Sequence, residues 1–175
     1  MNSTAMPLPK TLIVMGVSAS GKTTVSRLLG LALDYHVLDA DDLHPQANID
    51  KMRQGIALTD DDRAPWLRSV AAWIAERRAQ GVGVVVACSA LKRAYRDVLR
   101  DGDARAVFVW LDVARQQLDQ RIAHRPGHFM PASLLGSQLD TLEPPAADER
   151  AVHVVPDAVV EHTVDDVLAK LKALH

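Results

Sequence analysis

Short apolar runs bounded by turn residues alternate along this chain with longer stretches whose apolar positions recur every three or four residues. Thr11 to Met15 is such a run, stopping at Gly16, and reads as a buried strand. From Lys22 to Leu33 the apolar positions Val25, Leu28, Leu29 and Ala32 share one face of a helix. His36 to Leu38 predicts a second strand ending at Asp39. Pro45 to Gln54 predicts a helix with proline in its first turn and Gly55 just past its end. Asp60, Asp61 and Asp62 precede a helical stretch from Pro65 to Gln80, where acidic residues at the start suit the helix dipole. Gly83 to Cys88 is the most apolar run and predicts a central strand. Leu91 to Arg100 predicts a helix, and Val107 to Leu111 a fourth strand ending at Asp112. Ala114 to Ala123 is helical, and His124 to Pro131 breaks the pattern. Ala132 to Leu142 predicts a helix closed by Pro144 and Pro145, Val152 to Val155 a fifth strand, and Val164 to Leu174 a last helix. Strands alternating with helices predict an α/β fold, a parallel sheet covered on both faces.

Composition narrows the class. The 175 residues suit one domain, with residues 1–9 a loose tail and 10–175 the folded unit. With 48% apolar and 24% charged residues the chain is neither disordered, coiled-coil nor collagen-like. A net charge of -2 supplies no bulk attraction for a phosphate backbone, so no nucleic-acid partner is expected. The single cysteine, Cys88, fits a reducing compartment and reads as a buried strand residue. No apolar run approaches the roughly 20 residues that span a bilayer. Leu12 to Val17 is too short for a secretory signal, so the expected location is cytoplasmic and no membrane partner is expected. The histidines show no zinc-ligand spacing, and Trp66, Trp73 and Trp110 read as core or interface side chains.

One segment carries specific chemistry. Gly16, Val17, Ser18, Ala19, Ser20, Gly21, Lys22 and Thr23 place two glycines four residues apart, then Lys and Thr, between a predicted strand and a predicted helix. Such a loop turns successive backbone N–H groups toward a phosphate, with Thr24 continuing into the helix whose positive end adds to the attraction. Lys22 is expected at the β- and γ-phosphates and Thr23 on Mg²⁺. The chain has neither the DxxG nor the NKxD pattern of GTPases. Asp112 superficially offers the acid of a motor ATPase, but it reads better as a helix N-cap, and the strand Val84 to Cys88 runs into Ser89. A small kinase remains, with its acid supplied by another strand.

Asp39, Ala40, Asp41 and Asp42 follow the second strand, and loops at the carboxyl ends of parallel strands line the ligand crevice. Two carboxylates at this spacing divide the labour: Asp39 in the Mg²⁺ shell, Asp41 accepting or orienting the proton of an attacking hydroxyl. The alternative is a solvated turn followed by a helix cap.

The runs Leu38 to Met52, Gly55 to Leu67, Cys88 to Asp97 and Gly127 to Met130, together with the phosphate loop, closely resemble the bacterial gluconate kinases over nearly the whole chain. The resemblance implies ATP-dependent phosphorylation of D-gluconate at its 6-hydroxyl. It also implies a five-stranded parallel sheet of the shikimate and nucleoside monophosphate kinase type, a mobile lid near 124–131, and a homodimer. Shikimate or another polyol acid as the acceptor, and a nucleotide-binding module without catalysis, are the alternatives. A polyhydroxy carboxylate needs cations and polar side chains, and His44, Arg63, Ser89, Lys92 and His128 are the candidates in or beside the matched segments. Each also has a plainer role open to it: His44 as a turn histidine, Arg63 as a partner of Asp60 or Asp62, Ser89 as an N-cap, His128 as a lid residue. Lys92 at a helix start opposes the dipole and so predicts an anionic neighbour. Arg121 and Arg125 share a helix face that resembles the family's lid region; Arg125 is the candidate to neutralise charge on the transferred phosphoryl, and Arg121 to stack on adenine, against a solvated face. Ala19 and Ala40 stand where the family usually has glycine, which puts the loop geometry in question.

Overall fold

The computed structural model describes residues 7–124 and 133–174. Five strands run parallel: β1 (Thr11–Met15), β2 (His36–Asp39), β3 (Val84–Ala87), β4 (Val107–Leu111) and β5 (Ala151–Val154), in the spatial order β2-β3-β1-β4-β5. Between them lie α1 (Lys22–Leu33), a 3₁₀ turn (Ala40–Leu43), α2 (Gln46–Arg53), α3 (Asp60–Ala79), α4 (Arg93–Arg100), α5 (Arg115–Ala123), α6 (Ser133–Thr141) and α7 (Val160–Ala173). No helix among the described residues is long and apolar enough to cross a membrane.

The alternation of side chains along each central strand explains why these runs are apolar throughout. Ile13, Met15, Val84, Val86 and Phe108 face one way, onto Trp66, Leu67, Val70 and Ile74 of α3 and Tyr95 and Leu99 of α4. Leu12, Val14, Val85, Val107, Val109 and Val152 face the other way, onto Val25 and Leu29 of α1 and Val164, Val167 and Leu171 of α7. β1 is central, and the chain goes first to one side of it and then to the other. That reversal opens a crevice at the carboxyl ends of the strands, where the phosphate loop, Asp39 and Ser89 all emerge.

Four helix starts differ from the sequence expectation. α3 begins at Asp60, not Pro65, because Thr59 caps it: its hydroxyl accepts from Asp62 N at 3.1 Å and the Asp62 carboxylate accepts from Thr59 N at 2.9 Å. This capping box outweighs the backbone donor that Pro65 lacks. The three aspartates therefore form the first turn rather than precede it. α4 begins at Arg93 with Lys92 at the N-cap position, so Ser89 is not its cap. α5 begins at Arg115 with Ala114 at the cap position, so Asp112 is not a cap either; its carboxylate instead meets His153 Nε2 at 2.8 Å. α7 starts a turn earlier than its amphipathic pattern, at Val160.

Candidate active site

Gly16 and Gly21 hold φ of +146° and +97°, which L side chains rarely adopt. A Cβ on Gly16 would also stand 2.8 Å from Ser20 Oγ and 3.0 Å from the Leu111 carbonyl, so the first turn of the loop closes only around glycine. The loop leads directly into α1, whose first residues are Lys22, Thr23 and Thr24. Lys22 Nζ reaches back to the Val17 carbonyl at 2.8 Å, which holds the ammonium over the loop.

Ala19 sits in the left-handed region at φ 65°, the conformation its replacement of glycine put in question. A Cβ there costs on the order of 1–2 kcal/mol, partly offset by the smaller backbone entropy of alanine in the unfolded chain. Ala19→Gly is therefore expected to raise the melting temperature by about 2–4 °C, equivalent to roughly 1 kcal/mol in a chain of this size. Differential scanning calorimetry checks this; an unchanged or lower transition contradicts stored strain at position 19. Ala40 raises no such issue: it is buried in the 3₁₀ turn and is not among the residues with positive φ.

Asp39 joins the two halves of the site. One carboxylate oxygen accepts from Thr23 Oγ1 at 3.0 Å, and the other accepts from Asp41 N at 3.1 Å, capping the 3₁₀ turn. The capping role and the role beside Thr23 are thus filled by the same side chain. A threonine hydroxyl and one carboxylate, open to phosphate oxygens and water, form a donor set that fits Mg²⁺.

Asp41 projects from the turn into the cleft. Burial there raises its carboxyl from 3.8 to about 6; Lys22 opposes the rise, while Asp39 and Asp42 add to it. His44 stacks on the buried Trp66 ring with centroids 4.0 Å apart, and Trp66 Nε1 donates to the Ala40 carbonyl at 2.6 Å. Burial first, and the Arg63 charge second, lower His44 from 6.5 to about 4, so the imidazole is neutral near pH 7. Asn48 Nδ2 approaches His44 Nδ1 at 3.3 Å. Because the amide nitrogen can only donate, Nδ1 is the acceptor and the proton lies on Nε2, which faces Asp41 Oδ1 at 3.6 Å. His44 is therefore more than a turn histidine: it presents a neutral N–H donor beside the Asp41 carboxylate.

The remaining candidates separate. Arg63 lines the cleft, donates to Tyr95 Oη at 3.1 Å and lies 3.8 Å from Asp60 Oδ1. Ser89 lines it too, and its carbonyl accepts from Gly16 N at 3.2 Å. Lys92 does not line it; its predicted anionic neighbour is Asp60, 3.3 Å from Nζ, and Asp60 also accepts from Tyr95 Oη. Arg121 Nη1 donates to the Ala19 carbonyl at 3.0 Å, tying α5 to the phosphate loop rather than presenting a solvated face. Arg125 and His128, with most of the expected lid, lie outside the described residues. Cys88 is fully buried beside the site, and burial pushes its thiol up to about 12, which suits an inert packing residue.

The cleft encloses about 940 Å³ of empty space, part of it open to solvent. Thr23, Lys22 and Asp39 line it together with Asp41, His44 and Arg63. The glycine loop and a polar, cation-bearing wall therefore share one cavity, an arrangement that suits phosphoryl transfer. Sequence reasoning missed Trp66 and Gln138, which line the cleft, and Asn48, which meets His44 from outside it. Asn48 and Trp66 lie within the matched runs, which was their only signal, whereas Gln138 lies outside them and carried none.

Comparison with known proteins identifies the family. The AAA domain family matches residues 12–145. A gluconokinase of Gluconobacter oxydans (strain 621H) is 49% identical over 160 residues, covering 89% of this chain and 90% of that protein. The chain belongs to the gluconokinase family. Two crystal structures superpose closely. A gluconokinase from Sinorhizobium meliloti 1021 gives a TM-score of 0.83 at 47% identity, covering 95% of this chain and 94% of that one. An unliganded sugar kinase from Janibacter sp. HTCC2649 gives 0.88 at 44% identity, covering 93% and 94%. Of the cleft residues, Asp39, Asp41, His44, Arg63 and Ser89 fall within the matched runs, and Leu134, Ser137 and Gln138 fall outside them.

Proposed function

We propose that this chain transfers the terminal phosphoryl group of ATP to the 6-hydroxyl of D-gluconate, releasing ADP and 6-phospho-D-gluconate. The observation that carries this reading is the shared cleft, with the phosphate loop and the Thr23–Asp39 pair on one side and Asp41, His44 and Arg63 on the other. The loop amides and Lys22 hold the phosphates. Thr23 and Asp39 would hold Mg²⁺, which when bound neutralises phosphate charge. Asp41 stands as the proton acceptor for the attacking hydroxyl, its carboxyl lifted toward the working pH. His44 donates its Nε2 proton to a substrate oxygen, and Arg63 supplies the positive charge for the substrate carboxylate. Ser89 adds a hydroxyl to the same wall. Lys92 acts at one remove, by fixing Asp60 and through it Tyr95 and Arg63. Arg125 and His128 complete the phosphoryl and acceptor contacts in this reading, within a lid near 124–131. A homodimer in the cytoplasm is the assembly and location that accompany it.

An assay coupled to ADP formation, run with ATP, magnesium and a panel of sugar acids and shikimate, tests substrate and reaction together. Turnover with gluconate well above every other acid is the expected result. Turnover only with shikimate or another acid moves the chain to the alternative acceptor, and none with any acid moves it to the non-catalytic module.

A further inference from the structure

The Gln138 side chain reaches the phosphate loop from α6. Its Oε1 accepts from the backbone N–H of Ser18 at 2.6 Å, a contact between residues 120 apart in sequence. Gln138 lines the same cleft as Lys22 and Asp41. Ser18 is the third residue of the loop, and the N–H groups of such loops are the ones that face phosphate. A carbonyl oxygen of α6 thus occupies a donor of the kind a phosphate oxygen takes.

We propose that Gln138 is a residue that binds and positions the transferred phosphoryl group, an inference that rests on the reading of Gly16–Thr23 as a triphosphate loop. Its chemistry suits the task. A carboxamide carries an acceptor and two donors on one rotor, so a half-turn about its last bond replaces Oε1 by Nε2–H. With a triphosphate bound, the Ser18 amide donates to the terminal phosphoryl, and Gln138 turns to give that group a second donor from the opposite wall. Thr23 and the start of α1 hold the β-phosphate side of the nucleotide and Lys22 spans the β- and γ-phosphates; Ser18 lies early in the loop, on the side Gln138 faces. A donor aimed at a group whose charge shifts during transfer is worth roughly 10²–10³-fold in rate.

The test separates this role from that of a structural latch. Gln138→Glu keeps an oxygen that accepts from Ser18 N–H but cannot donate when ionised, and it sets a negative charge against the phosphoryl. It is expected to melt at the wild-type temperature, to bind ADP within about twofold of wild type, to bind a non-hydrolysable ATP analogue at least tenfold more weakly, and to lose roughly 10²-fold or more in kcat. Gln138→Ala is expected to show the same split between ADP and the triphosphate analogue with a smaller loss of kcat. Wild-type turnover in the glutamate variant overturns the proposal. So does an equal loss of affinity for ADP and the triphosphate analogue in both variants, which would mark Gln138 as a support of the loop alone. Wild-type binding of both nucleotides is measured first, so that failure of the triphosphate-loop reading is recognised separately.

Discussion

Asp41→Asn is expected to lower kcat for gluconate phosphorylation by roughly 10³-fold, within the range a positioned general base contributes, while leaving ATP affinity within about twofold. The substitution keeps the shape of the side chain and the backbone N–H that binds Asp39, so the Thr23–Asp39 pair and the loop stay in place. Only the ability to take a proton goes. The pH profile carries the same argument. An ordinary aspartate is ionised from about pH 4 upward and makes a weak base near neutrality; burial in the cleft moves Asp41 up to about 6. Below that value the carboxyl already holds a proton and cannot accept the substrate's. kcat/KM should therefore fall as pH drops through about 6 and level off above it. His44 adds no second limb between pH 5 and 8, since it titrates near 4. Steady-state kinetics from pH 5 to 8 for both proteins check this: the residual activity of Asp41→Asn should lack the limb. Wild-type rates in the variant, or a limb that survives in it, remove Asp41 from the role of base.

The features legible in the sequence were those fixed by local rules. β1 and β4 match their apolar runs residue for residue because both faces of a central parallel strand are buried, and α1 spans Lys22–Leu33 as its periodicity predicts. The loop and the Asp39–Asp41 pair were legible because glycine, lysine and carboxylate spacing follows directly from phosphate and metal chemistry. What stayed hidden depends on contacts distant in sequence. Nothing near His44 indicates that Trp66 covers one face of its ring, and so nothing indicates its low pKa. Ser89 and Asp112 resemble caps by position alone; each follows a strand, but three residues and two residues respectively separate them from the helices they were expected to cap. Lys92 is instructive: its conflict with the helix dipole correctly predicted an anion nearby, but that anion is Asp60 of α3 rather than a ligand. Residue type announced the charge; only the packing of α3 against α4 identified its partner.

α4 is also held from its other side by a buried cluster, which gives the largest expected effect on stability. Arg96 is fully buried, and its Nε and Nη2 donate to Glu149 at 2.7 and 2.9 Å in a bidentate pair, with Arg100 adding a third contact at 3.0 Å. Its Nη1 donates to the Ala90 carbonyl at 2.9 Å, in the turn where Ala90 holds φ 45° between Ser89 and Lys92. Arg96→Met leaves the Glu149 carboxylate buried with only Arg100 as a charged partner and strips a donor from that turn. The expected cost is roughly 3–5 kcal/mol, a fall in melting temperature of about 10 °C or more. Because the turn carries Ser89 into the cleft, KM for gluconate should rise in the folded variant as well. Adding Glu149→Leu removes the orphaned charge and should restore most of the stability without restoring KM, since the turn still lacks its donor. The pair also sets an acid limit. Hydrogen bonds from Arg96, against the opposing effect of burial, hold the Glu149 carboxyl down at about 2 from its ordinary 4.5. A depressed carboxyl contributes its full stabilisation above its unfolded value and loses it as pH falls toward the folded one, so the melting temperature should decline between about pH 4.5 and 2. The double variant should show a shallower decline over that interval. Equal slopes in the two proteins, or a loss under 1 kcal/mol for Arg96→Met, would show that the apolar contacts between α3 and α4 hold the Ser89 side of the cleft without this charge cluster.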